Sequence, residues 1–316
     1  MIYDSQPPAP CRRRDARRAV QAMAAEQDGV VSRAQARDLG ADRWVVRGEV
    51  QAGRWRAVGR RTVAVHLQPL GERAAWRASL HEAGVGAALD GVSSLRASGL
   101  VRFEDVIHLS VPPGSRARSR PGVIVHQLRS YSTDDVIAAG IPRTRPHVAA
   151  IRAAMWARSD RAAATIMAMT VQQRLTTPAR LQAQALAMGR HKRRTLILTI
   201  ARDIADGAQA LSELDFSRLC RQRGLPPPDR QVIRRGPRGR VYLDCYWVGF
   251  RLVVEIEGIH HDAPENAVDD SLRQNALSIR DNVVLRIPVI GIRTCPDEFM
   301  DQVAEALTAA GWCGAA

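Results

Sequence analysis

The spacing of apolar residues changes several times along this chain, and each change marks an element. From Arg17 to Glu26 an Ala- and Met-rich run has helical spacing, and Gln27-Asp28-Gly29 stops it. Val30 and Val31 precede Ser32-Arg33-Ala34-Gln35, which reads as a capping box with Ser32 as N-cap and Gln35 reaching back. A second helix therefore runs to Leu39 and ends at Gly40. Ala41-Asp42 opens a third helix, Arg43 to Gln51, closed by Ala52-Gly53. Between Arg54 and Val65 two short β-like runs flank a Gly59-Arg60-Arg61 turn.

Beyond residue 66 the pattern predicts a helix over Gly71 to Ala83 and another near Val92 to Ser98. Strict alternation over Val106 to Val111 predicts a strand, broken by Pro112-Pro113-Gly114, and Val123 to Leu128 predicts a second. The intervening loop, Ser115 to Arg120, carries Arg116, Arg118 and Arg120. After the Gly140 to Thr144 turn, Ala-rich helices run to about Ala205, with Met155, Trp156, Met167 and Met169 read as core. Ser212 then N-caps a helix with Glu213 and Asp215 in its first turn, and Pro226-Pro227-Pro228 prevents its continuation. Strands follow at Gln231 to Arg234 and in a hairpin, Val241 to Asp262, that turns near Val248-Gly249. A helix over Ala267 to Arg280, a strand over Val283 to Ile287 and a helix over Pro296 to Ala309 complete an α-β-β-β-α-β-α order. That order fits a restriction-endonuclease-like core. The chain is expected to be α/β, α+β overall, with a basic arm (1–16), a winged helix-turn-helix (17–66), a central α/β and helical region (67–206) and the endonuclease-like region (207–316).

Composition adds a partner. The formal net charge of +14 over 316 residues points to a polyanion, most often nucleic acid. Much of that charge is Arg, which a GC-rich genome would also produce. Up to His66 there are 13 Arg against 7 Asp or Glu. The five cysteines form no CxxC pair and are odd in number, so neither a zinc ribbon nor a disulfide framework is indicated. No apolar run reaches the roughly 18 residues needed to span a membrane, and no secretory signal is visible. A reducing cytoplasm is the expected compartment, with nucleoid association an open alternative.

Helix, helix, short turn, helix and basic hairpin is the order of a winged helix-turn-helix, whose third helix enters the major groove. Its exposed residues would include Arg43 and Arg47, one turn apart, with Arg54, Arg56, Arg60 and Arg61 on the wing to meet phosphates. The bland alternative is a small helical module with a solvated basic face. Gly29-Val30-Val31-Ser32, Gly53-Arg54-Trp55 and the closing Val63-Ala64-Val65 resemble the N-terminal domain of AbiEi-type antitoxins of type IV toxin–antitoxin systems. The resemblance covers about 50 residues. It implies DNA binding and repression of the protein's own operon, and the segment that follows resembles the central part of AbiEi-like chains.

A local reversal of charge marks the second candidate site. Val241 to Asp270 holds seven acids and one base, Arg251, inside a strongly basic chain. Glu255 and Glu257 are two apart and share a strand face, and Asp244 on the preceding strand can meet them. Clustered carboxylates repel unless a cation or proton is shared, which points to a hard cation, Mg²⁺ or Mn²⁺. Ser212-Glu213-Leu214-Asp215-Phe216, the stretch from Tyr242 to Asp262 and the Asp-x-x-Arg of the following helix resemble, over roughly residues 207 to 311, an endonuclease-like domain related to very-short-patch-repair (Vsr) endonucleases, within the larger PD-(D/E)xK superfamily. The resemblance implies Asp244 and Glu255 as metal ligands, completed by Glu213. It implies His260 or His261 as general acid or base; Arg273 is open to contact the scissile phosphate or to pair with Asp269 or Asp270 along the helix. The superfamily's Lys position is Glu257, which cannot supply positive charge but can bind a second metal or accept a proton from water.

Two functions stand side by side. One is a metal-dependent DNA endonuclease targeted by its winged helix; the other is a non-catalytic AbiEi-like regulator or antitoxin that keeps the nuclease fold. DNA is the expected partner, with a cognate toxin or a second copy of the chain as further candidates and no membrane.

Overall fold

The computed structural model describes residues 10–206, 216–235, 241–258 and 284–314, together with residues 268, 271, 272, 274 and 275. The fold is mixed, α+β, with three separate sheets among the described residues. The chain divides into two compact units, Met1–Ala97 with Asp105–Arg145, and Ser98–Glu104 with Pro146–Ala316. The helices from Pro146 onward thus group with the C-terminal region.

The first unit opens with α1 (Pro10–Glu26), β1 (Val30–Ser32), α2 (Arg33–Asp38), α3 (Arg43–Gln51), β2 (Arg56–Ala57) and β3 (Thr62–Ala64). Helix α1 starts earlier than its apolar period predicts, because a first-turn proline is compatible with a helix and needs no N–H partner. The capping box is present: Gln35 N donates to Ser32 Oγ at 3.0 Å and Ser32 N to Gln35 Oε1 at 2.8 Å. Strand β1 pairs with β3 and β3 with β2, all antiparallel, giving a three-stranded sheet in the order β1-β3-β2. Its core is Val20, Ala24, Val31, Val45, Val46, Trp55 and Val63.

The same unit continues through α4 (Glu72–Ala83), β4 (Ala88–Leu89), α5 (Gly91–Ala97), β5 (Ile107–Val111), β6 (Val123–Gln127), β7 (Val136–Ile137) and β8 (Arg143–Thr144). These strands form one sheet in the order β6-β5-β4-β8-β7. Strands β4, β7 and β8 have two residues each, too few for an alternation to be read from sequence. A fully buried carboxylate ties the middle of the sheet together. Asp90 accepts hydrogen bonds from the Ser110 hydroxyl on β5 and, at 2.8 Å, from Thr144 Oγ1 on β8.

The second unit begins with α6 (Pro146–Trp156), α7 (Asp160–Gln172), α8 (Pro178–Ala187) and α9 (Arg194–Asp206). Met167 and Met169 are fully buried core residues, whereas Met155 and Trp156 are only half-buried. It continues with α10 (Phe216–Gln222), β9 (Arg230–Arg235), β10 (Val241–Trp247), β11 (Leu252–Glu257), β12 (Val284–Pro288), α11 (Val289–Thr294) and α12 (Pro296–Ala309). The sheet runs β12-β11-β10-β9; β9, β10 and β11 are antiparallel and β12 lies parallel to β11. Period-two alternation buries Leu243, Cys245, Trp247, Val254, Ile256, Leu285 and Ile287 on one face. Phe216 meets Trp247 edge-on there, with ring centroids 6.3 Å apart. Asp203 of α9, almost fully buried, accepts from Arg293 of α11 at 2.9 and 3.2 Å. Among the described residues no helix is long and apolar enough to cross a membrane.

Candidate functional site

Helix α3 is positioned by both of its ends. Asp42 Oδ1 accepts from Trp44 N and Val45 N, each at 2.9 Å, which satisfies two of the orphan donors of the first turn. Val45, Val46 and Glu49 turn inward, leaving Arg43, Trp44, Arg47 and Gly48 exposed on the opposite side. The Arg43 guanidinium lies over the Trp44 ring, 4.8 Å from its centroid. Trp44 is 40% exposed and was not among the residues expected at this face. Its position beside Arg43 and one turn before Gly48 would have placed it there.

The wing arginines do not share one fate. Arg54 is held by Glu49, Nε to Oε2 at 2.6 Å and a terminal nitrogen to Oε1 at 2.9 Å, a bidentate pair. The hydrogen bond from Arg54 holds the Glu49 carboxyl below its ordinary range against the upward push of burial, with Arg17 helping. Arg56 donates to the Gln68 carbonyl at 2.9 Å. Arg60 and Arg61 stay exposed at the turn. Their backbone N–H groups, at 3.1 and 2.8 Å, and the Thr62 hydroxyl, at 2.7 Å, all donate to the Glu82 carboxylate at the end of α4. Glu82 of α4 therefore fixes the turn between β2 and β3.

The acidic hairpin places its acids on one sheet face. Asp244 on β10 is directly opposite Glu255 on β11, and Glu257 lies opposite Tyr242, so all three carboxylates belong to the face away from Leu243 and Ile256. Asp244 is fully buried, and its Oδ2 accepts from the Tyr246 hydroxyl at 3.0 Å. On the far side of Glu255, in register, stands Arg286 of β12, whose Nε is 3.4 Å from Glu255 Oε2. Asn275 clamps the Arg286 backbone, donating to its carbonyl at 2.9 Å and accepting from its N–H at 2.8 Å. Val232, Asp244, Glu255 and Arg286 thus form a single row across the sheet. Arg286 was not among the expected site residues; the Val-Leu-Arg-Ile alternation marks it as outward-facing, but only the parallel pairing brings it to Glu255.

Four expected site residues, Glu213, His260, His261 and Arg273, lie outside the described residues. Among the described residues no group of three His, Cys, Asp or Glu side chains is placed to hold a metal ion. Asp244 and Glu255 supply two carboxylates of such a set, the second already facing a guanidinium. The neighbouring thiols are no nucleophiles: burial pushes Cys220 up to about 12 and drives Cys245 higher still.

No family model matches the chain, and no curated protein does. A solved structure similar to it is that of the Rv2827c protein from Mycobacterium tuberculosis, at 15% identity and a TM-score of 0.38, covering 64% of this chain and 78% of that one.

Proposed function

We propose that this chain is a duplex-DNA-binding protein that lays α3 in the major groove and sets its wing on flanking phosphates. The observation that carries the reading is the two-sided character of α3. Val45, Val46 and Glu49 are buried while Arg43, Trp44 and Arg47 are exposed side by side. Arginine reads guanine bidentately and neutralises phosphate; an exposed tryptophan adds an apolar contact. The preceding turn and β1-β3-β2 sheet set the angle at which this helix is presented. Selection of a duplex from a randomised library, followed by affinity measurement with Arg43→Ala/Arg47→Ala, tests it. Loss of about 1–3 kcal/mol per arginine is expected.

The row of Asp244, Glu255 and Arg286 favours a second reading, hydrolysis of DNA phosphodiesters at the C-terminal sheet. Mg²⁺ or Mn²⁺ held by Asp244 and Glu255 would supply charge neutralisation at the phosphate. Arg286 offers the fixed positive charge that Glu257 cannot, and a guanidinium suits developing charge on a phosphoryl oxygen. Tyr246 holds the Asp244 carboxylate in place. Cleavage of plasmid DNA with either metal, lost in Asp244→Asn and Glu255→Gln, is the expected result; cleavage that persists in both variants contradicts it.

A further inference from the structure

A groove of about 790 Å³ runs between the wing turn and the loop after β5, within the first unit. One wall carries Arg60 and Arg61, and the other carries Arg116, Arg118 and Arg120; all five are exposed. Glu82 is the acid in its lining, and its carboxylate is already engaged by two backbone N–H groups and the Thr62 hydroxyl. Among the described residues, the cationic walls therefore face each other without an available carboxylate between them.

Both walls are fixed before anything binds. Glu82 holds the wing turn. On the opposite side Ala117 N donates to Ser115 Oγ at 3.2 Å, Val125 N to Ser119 Oγ at 2.9 Å, and Arg120 exchanges backbone hydrogen bonds with Val123 at 2.8 and 2.9 Å. Between the walls lies Gly84-Val85-Gly86. Gly84 has φ +94°, and the Arg61 guanidinium sits 2.6 Å from where a Cβ would stand, so a side chain there would displace it. Val85, also in the lining, is 102% exposed, an apolar tip that projects into solvent among the cations.

We infer that this groove carries a second stretch of the DNA backbone, continuous with the stretch that α3 and the wing engage. The inference rests on the proposal that α3 docks on DNA. Five exposed arginines on two braced walls suit a repeating phosphodiester, whose charges recur every few ångströms, better than a single small anion. An apolar tip between them suits the deoxyribose face that lies between successive phosphates. Each guanidinium keeps several donors for phosphate oxygens: Arg118 spends one on the Ala117 carbonyl and Arg120 one on Ser79 Oγ. The arrangement extends the contacted DNA beyond a single winged helix without adding base readout.

The test uses the full chain and a duplex selected by it. Arg116→Ala/Arg118→Ala/Arg120→Ala is compared with wild type and with a charge-matched triple outside the groove, Arg129→Ala/Arg180→Ala/Arg190→Ala. The groove triple should lower the slope of log affinity against log salt by about two to three, near 0.9 per lost phosphate contact. It should also shorten the protected footprint on one side and leave base preference unchanged. Val85→Glu, at a side chain with no packing to lose, should weaken binding in the same direction. A groove triple with the slope and footprint of the charge-matched triple overturns the inference. So does saturable binding of inorganic pyrophosphate with an unchanged footprint, which would make the groove a small-anion site. Loss of DNA affinity in the groove triple but not in Arg43→Ala/Arg47→Ala would overturn α3 docking, and with it the continuity of the two stretches, while keeping the groove as a DNA contact.

Discussion

The N-terminal basic face and the C-terminal acidic face handle charge in opposite ways. On α3 and at the wing turn, Arg43, Arg47, Arg60 and Arg61 are exposed; the packing below α3 is apolar, and the turn is held by its backbone N–H groups on the Glu82 carboxylate. On the C-terminal sheet the acids are drawn in. Asp244 is fully buried under a tyrosine hydroxyl, and Glu255 faces Arg286. Charge left exposed on a rigid scaffold suits a partner, whereas charge compensated internally contributes first to the fold. The basic face is therefore the stronger claim to a binding surface, and the acidic face must give up an existing partner to act on a substrate.

Variants that separate compensated from exposed charge put this contrast to the test. The largest effect is expected at Asp203, buried and bound bidentately by Arg293. Asp203→Ala should destabilise the C-terminal unit by about 3 kcal/mol, read by denaturant unfolding, because it strands a partly buried guanidinium. DNA affinity should not move. Next comes Arg54→Ala, which removes the partner of Glu49. It should lower the unfolding midpoint of the first unit less than Asp203→Ala lowers that of the second, and change DNA affinity less than Arg47→Ala does. The reverse ranking would return Arg54 to the interface.

The smallest effect is pH dependence. Burial pushes Asp28 up, but hydrogen bonds from Arg77 and Arg73 outweigh it, and Arg54 holds Glu49 down. Both folded carboxyls thus titrate below their unfolded values of 3.8 and 4.5. Their stabilising contribution is complete above those values and is lost as pH falls through the folded ones. Thermal unfolding of the first unit should show its midpoint falling as pH drops below about 4.5, and less steeply in Arg54→Ala.

Local chemistry was legible in the sequence. The Ser32–Gln35 capping box, helix α3 with its bounds, the strand alternation of the acidic hairpin and the shared face of Asp244, Glu255 and Glu257 all follow from spacing, and the structure has them. Contacts set by distant segments were not legible. Nothing near the wing turn announces Glu82, 21 residues from Arg61, as its anchor. Arg286 reaches Glu255 only because β12 pairs parallel to β11 after a crossover. Arg54 looks like any wing arginine until the end of α3 brings Glu49 beneath it.

The most direct test of the account is the affinity of the full chain for its selected duplex at fixed salt, wild type against Arg43→Ala/Arg47→Ala. A loss of roughly 30-fold or more, with an unchanged unfolding midpoint, is the predicted result. Equal affinity in the folded double variant would contradict α3 as the reading helix.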